Sequence, residues 1–248
     1  MPKTPHIAIV DAAIAAGFPF VGLEVTREGW TASTTREIKA RLDDAPIRLL
    51  DAEVLFLRPG ETNDALLPAL DIAAELGAQF VLTVSVDPDP DRNIRRFHAL
   101  CDEAESRNLT IALEFMKFLA VGTLPDALEI LNAADHASSA LLLDTLHFNR
   151  CGYAPSKIAE INPGLLRYAQ VCDGTKAPSG TDNEALVDDA VFGRRLPGEG
   201  DLPVREFVDA LPSDIPLSLE IRSSQVYDQF PEPEDRARAI FDTTSRFL

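Results

Sequence analysis

The chain has 248 residues, of which 46% are hydrophobic and 25% charged, a composition that fits one folded domain and excludes the disordered and fibrous classes. Its formal net charge of −17 is not offset by any block of Lys and Arg, which argues against nucleic acid and anionic lipid as partners. Cys101, Cys151 and Cys172 are widely spaced with no C-x-x-C pair, the N-terminus has no signal-peptide pattern, and no apolar run approaches the roughly 18 residues that span a bilayer. The expectation is a cytoplasmic protein, residues 1–248 forming a single domain, with reduced thiols and no membrane partner.

The first segment, Pro5–Ala16, has helical spacing and a stop at Gly17, with no strand ahead of it. A strand-like run at Phe18–Val25 and a helix at Thr34–Asp43 follow, then a strand at Ile47–Leu57 that ends beside Arg58. Further on, a helix over Asp64–Leu76 stopped by Gly77 leads to a strand at Gln79–Val86, and a helix over Asp91–Arg107 to a strand at Leu109–Phe115. The helix Leu124–Ala134 precedes the aliphatic strand Ala140–Asp144, and the helical Ser156–Ile161 precedes the strand Leu166–Cys172. After an insert at Gly174–Gly200, the chain closes with a helix over Leu202–Leu211, a strand at Pro216–Ile221 and a helix over Glu232–Leu248.

This alternation, without linker or repeat, predicts βα units, a parallel sheet and an α/β (β/α)8 TIM barrel whose first strand is missing or atypical. A barrel short of one strand leaves edges near Val21 and Leu217. His6–Val10 taken as a strand, a partner subunit, or residues ahead of Met1 would each fill the gap, and a homodimer that covers it is expected.

Four polar residues end four of the apolar runs: Glu114, Asp144, Gln170 and Glu220. Strand periodicity places Ala112 with Glu114, Leu142 with Asp144, Tyr168 with Gln170 and Cys172, and Ser218 with Glu220 and Arg222. A single acid at a strand end is accounted for as a helix cap or an arginine partner, but carboxylates gathered together repel, so a divalent cation is the simplest neutraliser of the set. The Gly174–Gly200 insert, rich in Gly, Pro, Asp and Arg, reads as a lid or substrate loop. Arg194 and Arg195 on that insert, Arg58 and Arg222 are candidate substrate contacts, with solvated charge as the competing account. His147, three residues after Asp144, is within reach of a substrate and would serve a dehydration as the proton donor to the leaving group, with a structural role or support of a ligand as the competing account. Glu199 and Asp201 read as turn and helix-cap residues.

The segments Leu113-Glu114-Phe115, Asp144-Thr-Leu-His147-Phe, Gln170-Val-Cys-Asp173, Leu196-Pro-Gly-Glu-Gly-Asp201 and Leu217-Ser-Leu-Glu220 resemble the xylose isomerase-like TIM barrels, the sugar phosphate isomerases and epimerases. The resemblance covers nearly the whole chain. It implies that Glu114, Asp144, Gln170 and Glu220 ligate a divalent metal, and that Glu114 and Glu220 lie on opposite sides of a small polyhydroxylated substrate. Many members carry His where this chain has Gln170; the amide oxygen favours Mn²⁺ or Mg²⁺, with Co²⁺ and Zn²⁺ as alternatives. Gln at that position also resembles the 3-dehydroshikimate dehydratases. The expected function is a metal-dependent isomerase or epimerase working through an enediolate; the alternatives are a dehydratase (lyase) and a non-catalytic or partner-dependent ligand-binding barrel.

Overall fold

The computed structural model describes residues 4–26 and 29–248. In chain order the elements are α1 (His6–Ala16), β1 (Phe20–Glu24), α2 (Ala32–Asp44), β2 (Arg48–Leu57), α3 (Leu67–Glu75), β3 (Phe80–Ser85), α4 (Pro90–Glu105), β4 (Thr110–Glu114) and α5 (Leu124–Ala134). They continue with β5 (Ser139–Asp144), α6 (Thr145–Arg150), β6 (Leu166–Val171), α7 (Asn183–Phe192), α8 (Val204–Ala210), β7 (Leu217–Leu219), α9 (Ser224–Gln229) and α10 (Pro233–Phe247). Parallel strands joined by helices in this order make the TIM-barrel fold. Two compact units are distinguished within it, Pro19–Leu142 and the remainder.

In Pro19–Leu142 the strands lie side by side in chain order from β1 to β5, each neighbouring pair parallel. Every residue of β3 and of β5 is buried, as expected of parallel strands covered on both faces, and this is why their sequences are continuous apolar runs rather than alternations. Helix starts here are locally encoded. Thr31 and Thr123 each form a capping box with the residue three positions on, Thr34 and Asp126, which satisfies backbone donors that the first turn leaves open. Gly77, in the left-handed region at φ 73°, stands just past the end of α3.

The end of β3 carries a buried polar knot. The Ser85 hydroxyl donates to Asn93 Oδ1 at 2.6 Å, Asn93 Nδ2 donates to the Asp87 carbonyl at 2.8 Å, and the Asp87 carboxylate takes a two-pronged guanidinium from Arg92. The Arg92 hydrogen bonds outweigh the opposing effect of burial and hold the Asp87 carboxyl below its ordinary value of 3.8. A lowered folded-state value adds stability at pH values above the unfolded one, and that stability disappears as pH falls through the folded one. Asp87→Asn is therefore expected to lower the urea midpoint by a constant amount from about pH 7 to about pH 5, and by a shrinking amount below about pH 4. A deficit that persists unchanged into acid would contradict this assignment.

In the other unit, α1 packs against α10, and Phe18 meets Phe241 edge-to-face with ring centroids 5.0 Å apart. His6–Val10, one of the candidates for a first strand, lies within α1. Pro5 precedes the helix, and Gly17, at φ 84°, returns its N–H to the carbonyls of Ala13 and Ile14, so both ends favour a helix over a strand. β6 pairs with β7 in parallel, Gln170 in register with Ser218.

The Gly174–Gly200 insert is not loop throughout, because it contains α7. The Asp182 side chain accepts the Ala185 N–H to cap that helix, and Leu186 and Ala190 are buried one turn apart. Segment Ser156–Ile161 forms a 3₁₀ helix over Pro155–Glu160, and α6 and α9 are short helices additional to those expected from the sequence. Among the described residues no helix is long and apolar enough to cross a membrane.

Candidate active site

Asp144 is the last residue of β5 and the N-cap of α6, its Oδ1 accepting the His147 N–H at 2.9 Å. That bond draws the chain directly from strand to helix, which keeps the carboxylate buried at the strand end and sets His147 on the first helical turn. Thr145 ties the same junction to the end of β6: its hydroxyl donates to the Cys172 carbonyl at 2.7 Å and accepts the Cys172 N–H at 2.9 Å. Gln170, fully buried on β6, shares a strand face with Tyr168 and Cys172. Glu220 follows β7 directly, and Ser223, one residue past Arg222, caps α9.

Arg194 is the unexpected member of this group. Although placed by sequence on an insert, it is only 1% exposed. Its Nη1 lies 2.7 Å from Asp144 Oδ2 and its Nη2 lies 2.9 Å from Glu220 Oε2. The other Glu220 oxygen, Oε1, pairs with Arg222 Nε at 2.8 Å. Burial works against a charged Arg194, but the carboxylates of Asp144 and Glu220 overcome it and hold the guanidinium pKa well above its ordinary value.

Arg194 Nη2 also sits 3.3 Å from His147 Nε2. Since a guanidinium only donates, that ring nitrogen presents its lone pair. Burial first, and the Arg194 charge second, push the His147 pKa down to about 3, so the imidazole is neutral. Arg194 Nη1 lies 3.2 Å from the Cys172 sulfur, and burial pushes that thiol up to about 12, keeping it protonated and unreactive.

Of the residues singled out from sequence, Asp144, His147, Arg194, Glu220 and Arg222 converge, joined by contacts on a single unit. Glu114 closes β4 in the other unit, buried and in register with Leu142. Arg58, also in that unit, is exposed, with its guanidinium 4.6 Å from the centroid of the Phe56 ring. Arg195 is half-buried and directs Nη1 to the Glu199 carbonyl at 3.3 Å. Its backbone pairs with Asp173 in both directions, at 2.8 and 2.9 Å.

Asp173 organises the adjoining loop. Its carboxylate collects the N–H groups of Gly174, Gly198, Gly200 and Leu202, which accounts for the Pro-Gly-Glu-Gly-Asp pattern. A side chain on Gly200 would collide with that carboxylate and with the Gly174 carbonyl. Glu199 lies in the turn, and Asp201 accepts the Lys176 N–H at 3.3 Å. The signal for Asp173 was present in sequence, as an acid followed by a glycine-spaced turn; nothing local marked Arg194 for burial.

The donor set suits a divalent cation. Carboxylate and carboxamide oxygens suit a hard ion, and Asp144 and Glu220 already converge on one positive group, the Arg194 guanidinium, which stands in for a cation. The residues fit such an ion in charge and in ligand chemistry.

A barrel with acids at its strand ends defines a class that comparison with known proteins narrows. Residues 10–245 match the family model described as xylose isomerase-like TIM barrel, and the chain belongs to that family. The fold is similar to that of the IolI protein with a bound zinc atom (17% identity, 100% of this chain and 95% of that one, TM-score 0.81). It is also similar to D-psicose 3-epimerase with D-tagatose from Clostridium cellulolyticum H10 (13% identity, 100% and 95%, TM-score 0.76). A third similar structure is AsbF from Bacillus anthracis, a probable 3-DHS dehydratase (17% identity, 98% and 94%, TM-score 0.75). The chain spans 40% of the length of a xylose isomerase-like TIM barrel/4-hydroxyphenylpyruvate dioxygenase fusion protein, at 21% identity and a TM-score of 0.81. No curated protein matches the chain at a significant level.

Proposed function

We propose that this protein is a divalent-metal-dependent isomerase or epimerase of a small polyhydroxylated ketone, with Glu114, Asp144, Gln170 and Glu220 as the metal ligands. The observation that carries the proposal is the convergence of Asp144 and Glu220 on one buried positive charge. All four ligands offer oxygen, which favours Mn²⁺ or Mg²⁺ over Zn²⁺. When bound, the ion supplies Lewis-acid polarisation of the substrate carbonyl and so acidifies the neighbouring C–H.

In this reading the Glu220 carboxylate removes the α-proton. The C–H electron pair becomes the double bond of an enediolate, the carbonyl oxygen takes the negative charge, and Glu114 delivers a proton to the opposite face. Arg222, paired with Glu220 at 2.8 Å, orients the base. Arg195 and Arg58 remain candidate contacts for the substrate's far end, and the neutral His147 is a hydrogen-bonding partner for a substrate hydroxyl.

A second reading, dehydration of a β-hydroxy ketone, is favoured by the carboxamide of Gln170. It asks His147 to protonate the departing hydroxyl, a task opposed by its lowered pKa of about 3.

The test is deuterium uptake from D₂O at the α-carbon of ketohexoses and of 3-dehydroshikimate, with the purified protein before and after EDTA. Exchange into a ketose that EDTA abolishes and Mn²⁺ restores is the expected result. Water loss from 3-dehydroshikimate without ketose exchange would select the dehydratase, and no bound metal with no exchange into either compound would overturn both.

A further inference from the structure

We propose that Arg194 is a built-in counter-cation of the acidic centre, competing with the divalent ion for Asp144 and Glu220 and withdrawing when that ion binds. The inference rests on the metal reading given above.

Arg194 spans the two carboxylates with separate nitrogens, at 2.7 and 2.9 Å. The remaining oxygen of each carboxylate is also engaged, Asp144 Oδ1 by the His147 N–H and Glu220 Oε1 by Arg222. A divalent ion between these carboxylates would meet a buried positive charge at contact distance, so like-charge repulsion sets the two cations against each other.

The arginine is also delivered to the site by its own framework. Nε donates to the Ala190 carbonyl at 2.9 Å, and the backbone N–H donates to the Arg222 carbonyl at 3.1 Å. Just before it, Gly193 lies so close to Asp189 that a Cβ would come within 2.9 Å of that residue's Oδ1 and carbonyl oxygen. Asp189 itself is locked to the buried Arg150 at 2.7 Å. Glycine is thus what lets the end of α7 fold back and aim the guanidinium at the carboxylates. Without ion the arrangement keeps two buried acids neutralised. With ion, the guanidinium has to leave along the 193–195 segment, whose Arg195 backbone is paired with Asp173 and so with the loop that Asp173 organises. Loading the ion and rearranging the insert become one coupled event.

The experiment is a Mn²⁺ titration, by calorimetry and by the electron paramagnetic resonance of free Mn²⁺, of the wild type, Arg194→Met and Arg194→Lys, paired with denaturant midpoints in EDTA. Arg194→Met is expected to bind Mn²⁺ about 10-fold or more tighter than wild type, within the usual range of site coupling. It is also expected to have the lower midpoint in EDTA and the larger gain on adding Mn²⁺. Arg194→Lys, which keeps the charge without the fork, falls between. In the wild type, amide hydrogen exchange at Gly193–Leu196 rises on adding Mn²⁺, a measurement that holds even if a variant does not fold.

Equal Mn²⁺ affinity across the proteins, or exchange at Gly193–Leu196 unchanged by saturating Mn²⁺, overturns the competition and leaves the metal reading standing. Absence of Mn²⁺ binding in every protein overturns both.

Discussion

Replacing Glu220 by Gln is expected to lower the kcat of the proposed proton exchange about 10³-fold, within the roughly 10²–10⁴-fold contribution of a positioned general base. The substitution is nearly isosteric and keeps one oxygen to accept from Arg194 or Arg222, so the fold is expected to stay intact. What disappears is a group able to take up a proton at neutral pH. Glu220 is also a proposed ligand, so Mn²⁺ affinity is expected to fall as well; with Mn²⁺ kept saturating, the role at the reacting carbon puts the remaining loss in kcat more than in KM. Asp144→Asn is the companion variant. Asparagine caps helices as well as aspartate does, so α6 keeps its start while the charge paired with Arg194 disappears; Mn²⁺ affinity is expected to fall together with activity. A Glu220→Gln protein that exchanges α-protons within a few-fold of wild type would remove Glu220 from the chemistry.

The second large effect is on stability. Asp173→Ala is expected to cost about 4 kcal/mol in urea unfolding, since a charged acceptor of the N–H groups of Gly174, Gly198, Gly200 and Leu202 is lost and those donors are left partly buried. Hydrogen bonds to a charged group are worth about 1.5–3 kcal/mol each and do not add, because the loop relaxes as a unit once the first is broken. Asp173→Asn is expected to recover only part of this. Its amide nitrogen faces backbone donors where a carboxylate oxygen accepted from them. A change below about 1 kcal/mol in Asp173→Ala would mean that the loop is held by something other than this carboxylate. The neighbouring backbone pairing of Asp173 with Arg195 carries the disturbance to Arg194, so Mn²⁺ affinity is expected to change in the same variant.

The parts of this molecule that were legible in sequence are those whose physics is local. Continuous aliphatic runs such as Ala140–Leu143 announce strands covered on both faces. Period-two spacing sets Gln170 beside Cys172. The acids Asp144 and Glu220 were recognisable because each comes at the end of an apolar run, where a parallel α/β sheet presents its side chains for chemistry. Local signals were weaker for the first segment. In His6–Val10 the run His-Ile-Ala-Ile-Val satisfies both a helical and a strand reading on its own, and the Gly17 stop and the packing of α1 against α10 decide for the helix. The insert hid α7 because Gly and Pro punctuate it on either side of a well-capped stretch, so that the whole reads as loop.

Residue types, strand ends and family were thus determined by sequence alone. Which cation the acids face was not. Arg194 lies 50 residues from Asp144 in the chain and is aimed by a glycine that tolerates close contact with Asp189, by a backbone bond to Arg222 and by the burial of its own side chain. An arginine on a polar insert reads from its neighbours as a substrate contact or a solvated charge, not as the buried partner of two carboxylates. Only the tertiary fold brings two carboxylates near enough to offset the loss of its hydration, and a pairing of that kind has no period for a sequence to display.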